Sequence, residues 1–249
     1  MKETATNITP NITPTADEAL LEEMYIAIRE KEGRTYTDIQ VAQLPLINAG
    51  HPYYREWRVR QRSSWRLLNH LEEMRRPLQI LEVGCGNGWL AAKLADIPNV
   101  RVTGIDANRI EIEQASRVFK KPNLKFIHKG FNSNTFTEKV KFDVIIFAAS
   151  LSYFPSVRTV IADAFALLSE HGKVHILDTP FYHQKDIETS ALRCRKYYER
   201  MGFAAMADHY FHHHIDKVQA FKHKVLFNPG GFWNRLIKRD VFYWIMLKP

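Results

Sequence analysis

One stretch carries residues whose types and spacing could do chemistry. It is ILEVGCGNGWLAAKLA, residues 80–95, with glycines at 84, 86 and 88 and an acid, Glu82, two places before the first of them. Glycines that interrupt a strand and lead into a helix bring bare backbone N–H groups to one point and let a ligand approach without a Cβ in the way. Ile80, Leu81 and Val83 suit a buried strand. Leu90, Ala91, Leu94 and Ala95 recur at helical spacing, so the turn joins a strand to a helix. Such a junction is a small-molecule site.

The elements that must position this turn follow it in alternation. Apolar runs predict strands at 79–83, 100–105, 124–128, 142–148 and 173–178, with helices at 89–96, 109–119 and 157–168 between them. Near-continuous apolar strands such as Val144 to Ala149 are what a parallel sheet covered on both faces requires. The expected fold is a doubly wound, Rossmann-like α/β sheet, seven-stranded and mostly parallel, in which ligands bind at the carboxyl ends of the strands. The sixth and seventh strands come from 221–227 and 242–247, split by the Asn-Pro-Gly-Gly turn at 228–231. A further helix at 186–201 ends in Gly202.

Ahead of the sheet the texture differs. Residues 1–16 are Thr-, Asn- and Pro-rich and predict a disordered tail. Residues 17–76 predict a helical cap, and 77–249 the core. In the cap, 17–31 is amphipathic with Leu20, Met24, Ala27 and Ile28 on one face. The segment 56–75 has Trp57, Trp65, Leu68 and Leu71 as apolar anchors.

The whole chain sets outer bounds. Its 249 residues allow one large domain. No apolar run approaches the ~20 residues of a membrane span, and no signal segment is evident. Two cysteines, Cys85 and Cys194, make no disulfide framework, so a cytoplasmic setting is expected. The excess of 35 Lys+Arg over 27 Asp+Glu, a net +8, is spread along the chain rather than gathered in a block, which disfavours nucleic acid as the partner.

Two cofactor classes use a glycine turn here. A dinucleotide turn wants a third glycine for close helix packing, and Trp89 occupies that place. The order E-x-G-x-G-x-G instead resembles motif I of the class I S-adenosylmethionine-dependent methyltransferases. Gly104-Ile105-Asp106 at the end of the second strand, Phe142 to Ile146 followed by Ser150, Leu151 and Tyr153, and Leu167 to Lys173 resemble that family's later motifs. The resemblance spans residues 68–178. It implies S-adenosyl-L-methionine as cofactor, held by Glu82, Gly84, Cys85, Gly86, Asn87, Gly88, Asp106, Ala107, Phe131, Asn132 and Ala148. Asp106 would accept the ribose hydroxyls as a bidentate acceptor, and Glu82 would suit the cationic amino-acid end. The family often has Gly-Asp after the third strand; here the run is Gly130-Phe131-Asn132, so Phe131 would lie on the adenine and Asn132 would supply its hydrogen bond.

Methyl transfer from a sulfonium needs mainly positioning, so no catalytic residue stands out. Tyr153, Tyr182 and His183 follow strands that end at the open edge and are the candidates for the acceptor pocket. The cap offers Tyr25, Arg29, Tyr36, Trp57, Arg58 and Arg60 to line it. An N/D-P-P-Y/F run, expected for amino-group chemistry on adenine or glutamine, is absent. His209, His212, His213 and His214 lack a completing cysteine pair or acid cluster, and neighbouring histidines diverge in regular structure, so no metal is expected. The sequence therefore points to methyl transfer to a small-molecule acceptor. An RNA or other macromolecular acceptor, or a cofactor-binding regulator of the same fold, is the alternative. Oligomeric state is not legible.

Overall fold

The computed structural model describes residues 16–137, 139–232, 234 and 240–249. The expected tail therefore lies outside the described residues except for Ala16, where α1 (Ala16–Lys31) begins. Two further helices, α2 (Asp38–Gln43) and α3 (Tyr54–Glu72), precede the sheet. Then strands and helices alternate: β1 (Leu78–Val83), α4 (Trp89–Leu94), β2 (Val100–Asp106), α5 (Arg109–Val118), β3 (Leu124–His128), β4 (Phe142–Ala148), α6 (Val157–Ala166) and β5 (Leu168–Leu177). Beyond these come β6 (Phe181–Tyr182), α7 (Gln184–Met201), β7 (His213–His214), α8 (Asp216–Gln219), β8 (His223–Phe227) and β9 (Trp244–Leu247).

Seven strands form one sheet in the order β3-β2-β1-β4-β5-β9-β8. The first five run parallel; β9 is antiparallel to β5 at its edge, and β8, antiparallel to β9, returns to the common direction. Strand order reverses between β1 and β4, which is where a crevice opens at the carboxyl ends in this class of sheet. β6 and β7 pair separately as a two-stranded parallel ribbon.

Alternate side chains of the strands feed two cores. Leu81, Val83, Ile145, Phe147, Val174 and Ile176 meet α6 on one face. Ile80, Val102, Val144, Ile146 and Leu177 meet α3 and α4 on the other, where Trp57 stands edge-on to Trp89 at 5.6 Å. Trp89 thus serves as a packing residue at the first turn of α4.

The apolar positions of α3 differ from the sequence expectation. Trp57, Ser64, Leu67 and Leu71 face inward, whereas Trp65 is 63% exposed. The phase is set by Trp57 and Leu71, fourteen residues and about four turns apart, which puts 64 and 67 inward and 65 outward. Leu20 of α1 is also exposed. α1 docks through Ile28 against Tyr198 and Met206, and Lys31 Nζ donates to the Met201 carbonyl at 2.9 Å, so it rests on α7 and the following turn. β5 begins at Leu168 rather than at Lys173, because Leu168 pairs with Phe142 ahead of a register shift and Gly172 packs against the Leu168 side chain.

One polar feature of the core has a pH consequence. His175, on β5, is fully buried and accepts a hydrogen bond from Trp244 Nε1 at 3.0 Å through Nδ1, 5.5 Å from the ring of His70. Its proton must sit on Nε2, and burial, with His70 and Lys173 nearby, lowers its pKa from 6.5 to about 3. A depressed histidine contributes stability that is fully present above the unfolded-state value and is lost as pH falls toward the folded one. Between about pH 7.5 and pH 5 this group alone is expected to cost about 2 kcal/mol in urea denaturation. His175→Gln, which keeps an acceptor for Trp244, is expected to flatten that dependence; an equally steep loss in the variant contradicts the assignment.

Candidate active site

The turn after β1 is shaped by backbone conformation and by the end of β2. Gly84, Gly86 and Gly88 all have left-handed φ, +71°, +51° and +76°. The amides of Gly84 and Cys85 both donate to the Ile105 carbonyl, at 2.8 and 3.0 Å. Asp106 then fixes the tip: one carboxylate oxygen accepts from Gly86 N–H and the other from Asn108 N–H, each at 2.8 Å. Asn108 caps α5 by accepting from Glu111 N–H at 3.0 Å. A Cβ at Gly88 would lie 2.4 Å from the Phe126 ring and 2.8 Å from Ala115, so α4 enters at a distance only glycine permits.

The expected residues gather unevenly around this tip. Glu82, Cys85 and Asn87 are buried beneath it, Ala148 is half-buried at the end of β4, and Ala107 is exposed beside Asp106. Phe131 stands edge-on to Phe147 and Phe154, at 5.8 and 6.3 Å. Asn132 is exposed, and its Oδ1 accepts from Asn134 N–H in its own loop.

The electrostatics of the turn are unusual for a surface loop. Glu82 is 3% exposed; burial and then Asp106 push its carboxyl well above the usual range, against a hydrogen bond from the Ala91 backbone. Its Oε2 has no partner. Burial also raises Asp106, opposed by its two backbone donors, and raises Glu111, opposed by Arg29. A Cβ on Gly86 would lie 3.7 Å from Glu111 Oε2, so Glu111 overlooks the tip. Arg29 reaches in from α1, 5.8 Å from the Tyr25 ring, with Nε buried and unpartnered. Three acids and one guanidinium therefore surround a turn whose Gly84, Cys85, Gly86 and Gly88 amides are all engaged within the fold.

Aromatic rings lead away from this cluster. Tyr25 contacts Tyr153 at 6.0 Å, Tyr153 contacts Tyr210 at 5.6 Å, Tyr210 contacts His212 at 5.4 Å, and His212 contacts Tyr182 at 5.1 Å. Tyr153 exposes 40% of its surface, yet the protein around it pushes its phenol well above 10 by desolvation. Of the three pocket candidates, Tyr153 and Tyr182 belong to this chain of rings, while His183 is exposed at the start of α7. Of the cap residues, Tyr25 joins the ring cluster and Arg29 lies beside it. Trp57 instead donates from Nε1 to Tyr36 at 2.9 Å in a separate packing cluster, and Arg58 is exposed.

Sequence reasoning missed Tyr210, Glu111 and Asn108. The Asn-x-x-Glu spacing directly after Asp106 is a helix-start pattern that could have located the last two. Tyr210 joins the cluster through its ring contacts alone. The histidine tract disperses: His213 contacts the Leu151 carbonyl at 3.2 Å and His214 pairs with Asp216. Among the described residues no group of three or more metal-binding side chains converges. A separate open groove of about 980 Å³ lies between Ser156, Arg158, His213 and Asp216, away from the turn.

Gly88→Ala is expected to lower stability by about 2–3 kcal/mol, since the new methyl is strained by φ and driven into Phe126. Adding Phe126→Leu should recover part of that loss. An unchanged denaturation midpoint in Gly88→Ala contradicts the packing argument.

Comparison with known proteins follows the same outline. Residues 80–172 match a family model described as a methyltransferase domain. The chain is 27% identical over 147 residues to a malonyl-[acyl-carrier protein] O-methyltransferase of Halalkalibacterium halodurans, covering 55% of this chain and 54% of that protein. It is 30% identical over 99 residues to a ubiquinone biosynthesis O-methyltransferase of Pelagibacter ubique, covering 40% and 41%. The chain thus spans about half or less of the length of these curated relatives. A crystal structure of the plantazolicin methyltransferase BpumL, in complex with a triazolic desmethylPZN analog and SAH, superposes with a TM-score of 0.54 at 15% identity, covering 93% of this chain and 98% of that one. That likeness shows the fold. No helix among the described residues is long and apolar enough to cross a membrane. Fold and motif order agree with the family model, which places a methyltransferase domain at residues 80–172 of this chain.

Proposed function

We propose that the protein is an enzyme that transfers a methyl group from S-adenosyl-L-methionine to a small-molecule acceptor. The observation that carries this reading is the pair of acids at the glycine turn, Glu82 buried beneath it and Asp106 half-buried at its tip. Glu82 keeps one carboxylate oxygen without a partner, and Asp106 orients the tip through Gly86 N–H. A buried polar atom left unpaired costs about 1–3 kcal/mol, which an ammonium delivered by a ligand would offset. In this reading Glu82 holds the amino-acid end and Asp106, with two lone pairs per oxygen, takes the ribose hydroxyls. Gly84, Cys85, Gly86, Asn87 and Gly88 give the backbone cradle, Ala107 and Ala148 flank it, and Phe131 and Asn132 receive the base.

The cofactor supplies a methyl already activated on a sulfonium. The chain's own task is then to orient an acceptor and exclude water. Tyr25, Tyr153 and Tyr210 form the aromatic wall for that acceptor. The ring-lined surface supports a small acceptor. The O-methyltransferase names of two curated relatives are consistent with it, and the positive charge is spread along the sequence rather than gathered in one block. A cytoplasmic location fits the two free cysteines.

Isothermal calorimetry tests the reading. S-adenosylhomocysteine is expected to bind and NAD is not; binding of NAD alone overturns it. Glu82→Gln should weaken S-adenosylhomocysteine by about tenfold, about 1.4 kcal/mol, while 5′-methylthioadenosine, which lacks the amino-acid end, stays within about twofold. Label from methyl-tritiated S-adenosylmethionine incubated with a cell extract should enter the low-molecular-mass fraction; label in RNA would overturn the acceptor class.

A further inference from the structure

A second buried carboxylate is left unpaired, and it lies on the other side of β4. Asp178 directly follows β5, is 8% exposed, and adopts a left-handed φ of +53° that non-glycine residues seldom hold. Ser63 Oγ donates to its Oδ2 at 2.7 Å, whereas its Oδ1 has no partner. The contrast with other acids in the fold is informative. Asp240, equally buried, gives one oxygen to Arg62 and the other to Arg66. Asp143 gives one to Arg76 and Ser169 and the other to the Gln79 amide. Asp143 and Asp240 thus have both oxygens occupied, whereas Asp178 is held through one oxygen and its other is buried without a partner.

Its place is at the edge where the chemistry gathers. Leu177 lies opposite Ala148 in the parallel register, and Ala149 N–H, in a residue that is also left-handed, donates to the Leu177 carbonyl at 3.0 Å. β1 and the glycine turn border β4 on its other side. Ser63, which holds Asp178, lies one turn along α3 from Arg60, and Arg60 acts electrostatically on Asp178, Tyr25 and Tyr210, so α3 ties Asp178 to the ring cluster. Strained backbone and an unpaired buried polar atom at one point are features that folds tend to hold for function.

We infer that Asp178 is the general base of the reaction, its open oxygen facing the place where the methyl is transferred. This rests on the methyltransferase reading above. Asp178 Oδ1 takes the proton that an acceptor O–H or N–H loses as the acceptor's lone pair bonds to the methyl carbon. The carbon–sulfur electron pair stays on sulfur, leaving a neutral thioether, and the protonated Asp178 later releases its proton to water. Ser63 positions the carboxylate by fixing the other oxygen. Burial raises the affinity of Asp178 for a proton, which suits a base, and Arg60 and Ser63 oppose that rise.

The test needs no acceptor. Sinefungin is a cofactor analogue whose ammonium stands where the methyl would be, and S-adenosylhomocysteine carries no charge there. Calorimetry on the full chain at about pH 8 should find sinefungin bound about tenfold more tightly. Asp178→Asn should abolish that preference while S-adenosylhomocysteine still binds as in the wild type, and Ser63→Ala should retain it in part. In the wild type the preference should fall as pH drops. The charged groups that act on Asp178 are Arg60 and Arg66 from α3 and Asp240, ahead of β9. Equal affinity of the two ligands for the wild type, or an undiminished preference in Asp178→Asn, overturns the inference. Should Asp178→Asn fail to fold, a preference in the wild type that stays flat down to about pH 4 overturns it equally. Failure of S-adenosylhomocysteine to bind the wild type would instead strike the methyltransferase reading itself.

Discussion

The carboxylate of Asp106 is the constraint on which the rest depends. It sits at the end of β2 yet accepts from the tip of the turn that follows β1, and from the residue that caps α5. Two neighbouring strands and the start of a helix are thereby fixed to one side chain. Gly86 can present its amide to Asp106 because its φ of +51° is open to glycine. Loss of this hydrogen bond would leave one oxygen of Asp106 without its donor and the tip unheld.

Around that anchor the structure tolerates an arrangement that folding alone would disfavour. Glu82, Asp106 and Glu111 are brought together, and burial raises all three. Arg29, carried on α1 rather than on the sheet, is the guanidinium set against Glu111. α1 is itself secured by Tyr198 and Met206, which belong to the segment between β5 and β8.

What could be read in the sequence was local. The buried parallel strands announced themselves because each is nearly continuous in apolar residues, and the glycine turn because its spacing is short and exacting. The phase of α3 was harder. Trp65 looks like an anchor by type, yet Ser64 is the buried residue, since the helix face is chosen by Leu67, Leu71 and Trp57 together. The early start of β5 was hidden because Ser-Glu-His-Gly has the composition of a turn, while Leu168 finds a strand partner in Phe142. The acceptor side was the least legible. Tyr153 could be placed by its strand, but Tyr25 and Tyr210, which meet its ring, lie 128 and 57 residues away. Asp178 could be placed at the end of its strand, but its open oxygen emerges only when Ser63 takes the other one.

The central claim is that the glycine turn, held by Asp106 and underlain by Glu82, is built for the amino-acid nucleoside end of S-adenosylmethionine. A crystal structure with S-adenosylhomocysteine tests it most directly. The account predicts the ligand's ammonium within hydrogen-bonding distance of Glu82 Oε2, its ribose hydroxyls on Asp106, and its sulfur directed toward Tyr153. A ligand seated instead in the groove between Ser156 and His213, with the turn left vacant, would contradict it.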